Sequence, residues 1–459
     1  MGVRGLSKLI APCGKLVSYD EYTGQYIAVD AFHRIYKCCS MKNMCDPNYK
    51  HAYIRSILSC ITHLTQFGIA PIFVFDGMSL YFKTKYKESQ KKHYDVKSDS
   101  NIESVNSEVI PSEVDASKSQ MYEEKPVFKI TPQQIKECEE LINMLGLPCI
   151  RAPHEADSQC AAMTLLKCKN PVSVVLTDDT DALVFGAKAI LKMLPMKMVN
   201  LLRDIFNEFV VKIETSQTQK YSIITILKYL DKTYLIRKIS QEIDVYEEYD
   251  ILTIKNFCDR TIVHFAVRIT LDDVLKFLDT NAQKIRQIRN MTHNDFINLC
   301  LLLGTDYSHR IYNSSVEKIF ALFVDNDYDI SKIIGFCTES NFVGFSRDSP
   351  RRLCAKNLQL CDVKDTPNCH ETSEKSEIRG TSSAYYDMPE GHSEIHQKIN
   401  TVRDYYECAS VIDPNRIDMT IYKPNFEVFQ KFLEYLGMDR IFIMNIVRKY
   451  NRNILRMVR

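Results

Sequence analysis

The chain lacks an excess of charge of either sign. Lys plus Arg total 59 against 58 Asp plus Glu, a formal net charge of +1 over 459 residues. That excludes a polycation held to nucleic acid by its overall field, so any grip on a polyanion must come from local basic patches. No apolar run approaches the roughly 18 residues of a membrane span. The opening MGVRGLSKLI has no apolar core of the secretory kind. A myristoylation reading of it fails because position 6 is Leu6 and the serine comes one place late. Cys-x-x-Cys is missing from a chain with 16 cysteines, Cys38 and Cys39 among them, which suits reduced thiols inside a cell better than a disulfide framework. The set Cys361, Cys369, His392 and His396 ends in a His-x-x-x-His spacing, but its cysteines stand too far apart for a zinc finger. No internal repeat is visible. The 45% hydrophobic content is ample for a large core in two or three lobes.

What the chain does have is acid at the ends of apolar runs. Asp30 closes YIAVD, Asp76 closes IFVFD, Glu155 and Asp157 sit in PHEAD, Asp179 and Asp181 in VVLTDDTD, and Asp306 in LLLGTD. A short β-branched or aromatic run ending in an acid reads as a buried parallel strand delivering its carboxylate to the sheet's C-terminal edge, where open α/β sheets bind ligands. A single such Asp is often only a turn former or a cap, and the acids of PHEAD could merely favour a helix N-terminus. Neither explanation accounts for recurrence on several fully apolar strands. Carboxylates gathered at one edge repel one another unless divalent cations neutralise them. Mg²⁺ takes oxygen ligands and is usually found beside phosphates. Together these features point to a metal-dependent enzyme of phosphodiester chemistry.

Along the chain, residues 1–94 read as α/β, with strands at 26–30 and 72–76, a helix from Phe32, and another near 50–67 stopped by Gly68. Residues 95–126 turn serine- and acid-rich and read as a flexible loop. Order resumes at Thr131-Pro132-Gln133-Gln134, a capping box with proline at the first helical position, and continues over 127–194 with strands at 147–151 and 172–177. Residues 195–262 read as an insertion, a lobe off the sheet edge without nameable chemistry. The rest divides into 263–361, with a helix at 293–303 and a helix–turn–helix at 305–325, a polar linker at 362–400, and a helical segment at 401–459.

In sequence order these blocks resemble the flap endonucleases and related structure-specific 5′ nucleases. MGVRGLSKLI is similar to that family's opening, AVDAFHRIY and GIAPIFVFDG to its first two metal blocks, RAPHEADSQCAA and TDDTDALVFG to the next two, and LCLLLGTDY to the last. PNFEVFQKFLEYL extends a weaker likeness through 424–452. The resemblance implies an α/β, mostly parallel, twisted sheet flanked by helices (5′-nuclease or PIN-like), with a helical gateway and a helix–three-turn–helix. It implies two Mg²⁺ ions, with Mn²⁺ able to substitute. Asp30, Asp76, Glu155 and Asp157 would serve the first ion, and Asp179, Asp181 and Asp306 the second. It also implies hydrolysis of branched DNA near the single-strand/double-strand junction, in replication or repair. Asp178 is either an orienting acid or an ordinary turn residue.

After Asp76, Lys83, Lys87 and Lys91 follow helical spacing. Lys83 falls on the family's catalytic lysine. The family's next arginine falls near Gln90, which leaves Lys91 to supply that charge without a guanidinium fork. Lys87 would hold the flap, and Tyr36 matches an aromatic that stacks a base. Lys318 and the C-terminal stripe Arg448, Arg452, Arg456 and Arg459 are candidates for phosphate contact. Two glycines of the family's helix–three-turn–helix are replaced by Asn313 and Ser315. Asn tolerates a left-handed backbone and Ser does so poorly, which weakens the expected duplex grip there. No peptide of the sliding-clamp type is present. These departures point to a homologue from a large DNA virus or a parasite, working as a monomer inside the cell, in the nucleus or at a cytoplasmic replication site, with 195–262 free for a protein partner. A 5′→3′ exonuclease, a gap or junction nuclease, and a non-catalytic DNA-binding scaffold are the competing readings.

Overall fold

The structure, a computed structural model, describes residues 2–40, 51–81, 83–84, 129–165, 172–213, 219–259, 265–308, 314–335 and 390–457. The expectations for Lys87, Lys91, the 95–126 loop, Asn313, Cys361, Cys369, Arg459 and the side chains of His392, His396 and Arg456 lie outside them.

A short helix at Leu6–Leu9 leads into β1 (Lys15–Ser18) and β2 (Tyr26–Asp30). Helices α1 (Ala31–Ser40) and α2 (Ala52–Thr65) return the chain to β3 (Ala70–Phe75), whose six residues are all buried. The capping box forms as the sequence dictates: Thr131 accepts from the Gln134 N–H, Pro132 opens α3 (Pro132–Met144), and Gly146 at φ +73° turns the chain toward β4 (Cys149–Arg151). Then come α4 (Ala156–Leu165), β5 (Val172–Leu176) and β6 (Ala189–Met193).

Residues from 195 form α5 (Met196–Lys212), the hairpin strands β7 (Lys220–Ser222) and β8 (Glu248–Asp250), and α6 (Ile251–Asp259). They pack along β1, the edge strand. The Leu16 N–H donates to the Tyr249 hydroxyl at 3.1 Å, and the Asp244 N–H donates to the Gly14 carbonyl at 2.6 Å. An edge covered in this way offers no unpaired ladder to another chain. The chain re-enters the sheet as β9 (Phe265–Thr270), then runs through α7 (Leu271–Ile285), α8 (His293–Leu303), α9 (Val316–Asp325), α10 (Glu390–Glu407), α11 (Phe426–Tyr435) and α12 (Arg440–Met457).

The seven-stranded sheet has the order β1-β9-β6-β5-β2-β3-β4. β2 lies parallel to both β3 and β5, β4 and β6 extend the parallel set, and β9 runs antiparallel to β6 and β1. Alternation along the strands builds a core on each face. Ala28, Ile72, Val74, Val175 and Ile190 pack on one side with Leu202, Phe206 and Leu299. Ile27, Val29, Phe73, Phe75 and Val174 face the other, against Ile57, Ile142 and Tyr450.

Three expectations change in detail. The stretch read as linker to 400 is helical from Glu390, because the apolar stripe of Ile399, Val402, Tyr405 and Tyr406 lies at its far end behind a polar first half. Ser315 needs no left-handed backbone: it is the N-cap of α9 at φ −66°, its Oγ accepting from the Lys318 N–H at 3.3 Å. The C-terminal stripe shares its helix with core residues. Arg448 and Arg452 are exposed, while buried Tyr450 donates to the Leu145 carbonyl at 2.8 Å and buried Asn453 meets Thr65 at 3.2 Å.

Candidate active site

β2 and β5 are neighbours at the centre of the sheet, and the chain continues from them in opposite directions, from β2 to β3 and from β5 to β6. That reversal opens a crevice at the strands' C-terminal ends. Asp30 ends β2, and its Oδ1 accepts from the His33 N–H at 2.9 Å as α1 begins. Asp76 directly follows β3 and accepts from the Ala156 N–H at 2.7 Å, which pins the N-terminus of α4. Glu155 stands just before that helix and Asp157 in its first turn. Beyond β5, the Asp179 N–H donates to Thr177 Oγ1 at 3.1 Å, and Asp179 Oδ1 accepts from the Asp181 N–H at 3.2 Å.

The start of the chain closes the crevice. The Val3 N–H donates to Asp181 Oδ1 at 2.9 Å, the Gly2 N–H to Asp306 Oδ1 at 3.2 Å, and the Arg4 N–H to the Gly304 carbonyl at 2.9 Å. Gly2 adopts φ +85°, and a Cβ there would lie 2.1 Å from Asp179 Oδ1. Only glycine allows the backbone to approach two carboxylates so closely. Nothing in the opening sequence by itself shows where that glycine goes.

Burial and mutual repulsion hold several of these acids toward their neutral forms. Burial chiefly raises Asp30 to about 6, His33 opposing and Asp179 and Glu155 adding to the rise. Asp76 keeps solvent-accessible surface at the crevice mouth, yet the protein around its carboxyl, with Asp30 and Glu155, takes it to about 7. Asp157 and Asp181 are pushed well above the usual range by burial and then by neighbouring acids, and Asp179 is raised, by burial first. Oδ1 of Asp157 is buried without a hydrogen-bond partner. Such an atom demands an explanation, and the role of a cation ligand is one.

Lys83 faces the cluster. Its ammonium pairs with Glu155 at 2.5 Å and lies 5.2 Å from the centre of the Tyr307 ring. Burial disfavours its charge, but Glu155, Asp306 and Asp76 together raise its pKa above the ordinary lysine value. Asp178 turns the other way. It pairs with Lys37 and with His33, which overcome burial and hold its carboxyl well below the usual range. Both partners lie on α1, which ties this acid to the helix that follows Asp30. His33 and Lys37 stand one turn apart on the same face of α1, but nothing in the sequence pairs that face with Asp178.

Among the described residues, no three acid, histidine or cysteine side chains already stand as close as a single ion's coordination sphere requires. The fit to a divalent cation is therefore one of chemistry. The donors are all hard carboxylate oxygens, one of them is orphaned, and several are crowded toward their neutral forms by burial and by one another. Of the other candidates, Tyr36 is half-buried on α1 with its ring stacked on Phe32, centroids 6.2 Å apart, and Lys318 is exposed on the first turn of α9.

The fold and crevice define a class: a mostly parallel, helix-flanked sheet of the 5′-nuclease, PIN-like type, with its acids at the switch point. Solved structures of similar fold include the catalytic core of Rad2 in complex with a DNA substrate, at TM-score 0.52 and 16% identity over 98% of this chain and 100% of that one. Flap endonuclease-1 of Methanococcus jannaschii matches at TM-score 0.50 and 14% identity over 96% of each chain. The XPG N-terminal domain matches residues 1–98 and the XPG I-region residues 146–306, together more than half of the chain. The chain belongs to the flap endonuclease family. Flap endonuclease 1-A of Sorghum bicolor is 29% identical over 206 residues, 42% of this chain and 51% of that protein. Flap endonuclease 1 of Plasmodium falciparum is 28% identical over 214 residues, 42% of this chain and 30% of that protein. The chain thus spans about half or less of the length of these curated relatives.

Proposed function

We propose that the chain is a divalent-cation-dependent, structure-specific 5′ flap endonuclease that hydrolyses a DNA phosphodiester near a single-strand/double-strand junction, leaving a 5′-phosphate and a 3′-hydroxyl. One observation carries this reading. Acids from four parallel strands and from the loop after α8 meet at the sheet's switch point, with Lys83 facing them. Asp30, Asp76, Glu155 and Asp157 would hold one ion; Asp179, Asp181 and Asp306 would hold the second, with Asp157 between the two groups. Mg²⁺ held there, or Mn²⁺ in its place, would supply an activated water and charge stabilisation for the leaving oxygen of an in-line displacement.

The chain's own groups do the rest. Lys83 offers a preorganised positive charge beside the acids, where charge on a scissile phosphate develops. Tyr36 presents a partly open ring for base stacking, and Lys318, Arg448 and Arg452 are free to neutralise duplex phosphates. Replication and repair are the processes that need this activity.

Cleavage of matched flap, nicked, gapped, bubble and single-stranded substrates, labelled at either end, tests the proposal. A flap cut once near the junction supports it. Stepwise release of mononucleotides from a nick would instead assign an exonuclease. Asp179→Ala and Asp181→Ala should each abolish cleavage while flap binding persists, because second-ion ligands serve the transition state more than the ground state. Near-normal turnover of either variant in Mg²⁺ defeats the ligand assignment.

A further inference from the structure

The crevice is also fastened from a part of the chain that neither family match reaches. Helix α10 packs across α8, and its last turn sets Tyr405 and Tyr406 against Phe185 and Tyr307. The buried Tyr406 hydroxyl donates to Asp181 Oδ2 at 3.4 Å. Because Oδ1 of Asp181 already accepts from the Val3 N–H, both oxygens of this acid are held, one by the start of the chain and one by α10. A few residues on, Ile412 exchanges two hydrogen bonds with the fully buried Gln159 amide of α4. Its N–H donates to Oε1 at 2.7 Å, and its carbonyl accepts from Nε2 at 3.0 Å. Since α4 also carries Asp157, residues 399–412 form one strap that grips both sides of the acid cluster.

We propose that Tyr406 is a positioning residue for Asp181, and that this strap sets the geometry in which the crevice takes divalent cations. A phenol proton directed at a carboxylate favours the ionised acid and fixes its orientation, the usual role of a group behind a metal ligand. The inference rests on the reading of the crevice as a divalent-cation site.

Tyr406→Phe removes one oxygen and keeps the ring between Phe185 and Tyr307. Calorimetric titration of the full chain with Mn²⁺ in the absence of DNA should show binding weakened by about tenfold, the low end of the effect of losing such a partner. The melting temperature of the metal-free variant should equal that of the parent, and the Mg²⁺ concentration for half-maximal flap cleavage should rise in parallel. Equal Mn²⁺ affinity in the two proteins overturns the proposal. A lowered metal-free melting temperature that accounts for the weaker binding also overturns it, since the phenol then serves packing alone. A parent chain that neither binds Mn²⁺ nor cuts a flap overturns the functional reading beneath it, a result distinct from a parent that binds and a variant that matches it.

Discussion

A methyl group on Gly2 would be built 2.1 Å from Oδ1 of Asp179 and 2.9 Å from Oδ1 of Asp181, on a backbone at φ +85°. Gly2→Ala must therefore shift the first residues or displace two acids. Single-turnover cleavage should fall by about 10²-fold, the usual result of misplacing reacting groups by an ångström. The melting temperature should fall as well, because alanine is strained at this positive φ and its methyl group displaces buried acids. Lys83→Ala should slow the same step by about 10²–10³-fold as one preorganised charge disappears. An effect on binding alone would reduce Lys83 to a surface lysine. Asp295 is a structural counterpart. Burial opposes its charge, but Arg289 and the Thr292 N–H prevail and hold its carboxyl below the ordinary value while it caps α8. A depressed acid contributes stability that is complete above the unfolded carboxylate value of about 3.9 and is lost as pH falls through the lower native one. Asp295→Asn should cost about 2 kcal/mol at neutral pH by denaturant melts, and the difference from the parent should shrink on acidification. A difference independent of pH would show that the carboxylate's charge is irrelevant to it.

At the scale of elements, helix α12 joins two roles that deletion would confuse. Arg448 and Arg452 face solvent, whereas Tyr450 is fully buried against the Leu145 carbonyl. Removing the end of the chain would strip core as well as charge, so substitutions are the cleaner probe. Arg448→Gln with Arg452→Gln should weaken binding to flaps with long duplexes and lower the salt slope of binding by about two, with the melt unchanged. Tyr450→Ala should instead destabilise by about 3–5 kcal/mol. The elements legible in the sequence were those with local signals. YIAVD and IFVFD announce buried strands by unbroken apolar character, and Thr131-Pro132 and Thr292-x-x-Asp295 announce helix starts by their caps. The start of α10 was not legible, because its first half is polar in sequence and its apolar stripe, Ile399 to Tyr406, begins only midway. Likewise Tyr406 sits 225 residues from Asp181, and no periodicity links them.

At the scale of the whole molecule, the acid cluster is a stability cost that bound cations would remove. Asp30, Asp76, Asp157, Asp179 and Asp181 are all held above their ordinary pKa values. Mg²⁺ at 100 times its dissociation constant should raise the folding free energy by about 2.7 kcal/mol per ion, read as a higher melting temperature that EDTA reverses. Asp179→Ala or Asp181→Ala should erase part of that gain, and an unchanged gain in both variants would place the ions elsewhere.

The hydrogen bonds of Gly2 and Val3 to Asp306 and Asp181, together with that of Tyr406, have a consequence in time. Residues 2 and 3 must wait for position 306, and then for position 406, before the crevice can close around them. Contacts of such sequence separation make folding slow. A nascent chain therefore has an open crevice until position 406 has been made, and the crevice closes only when these distant parts meet.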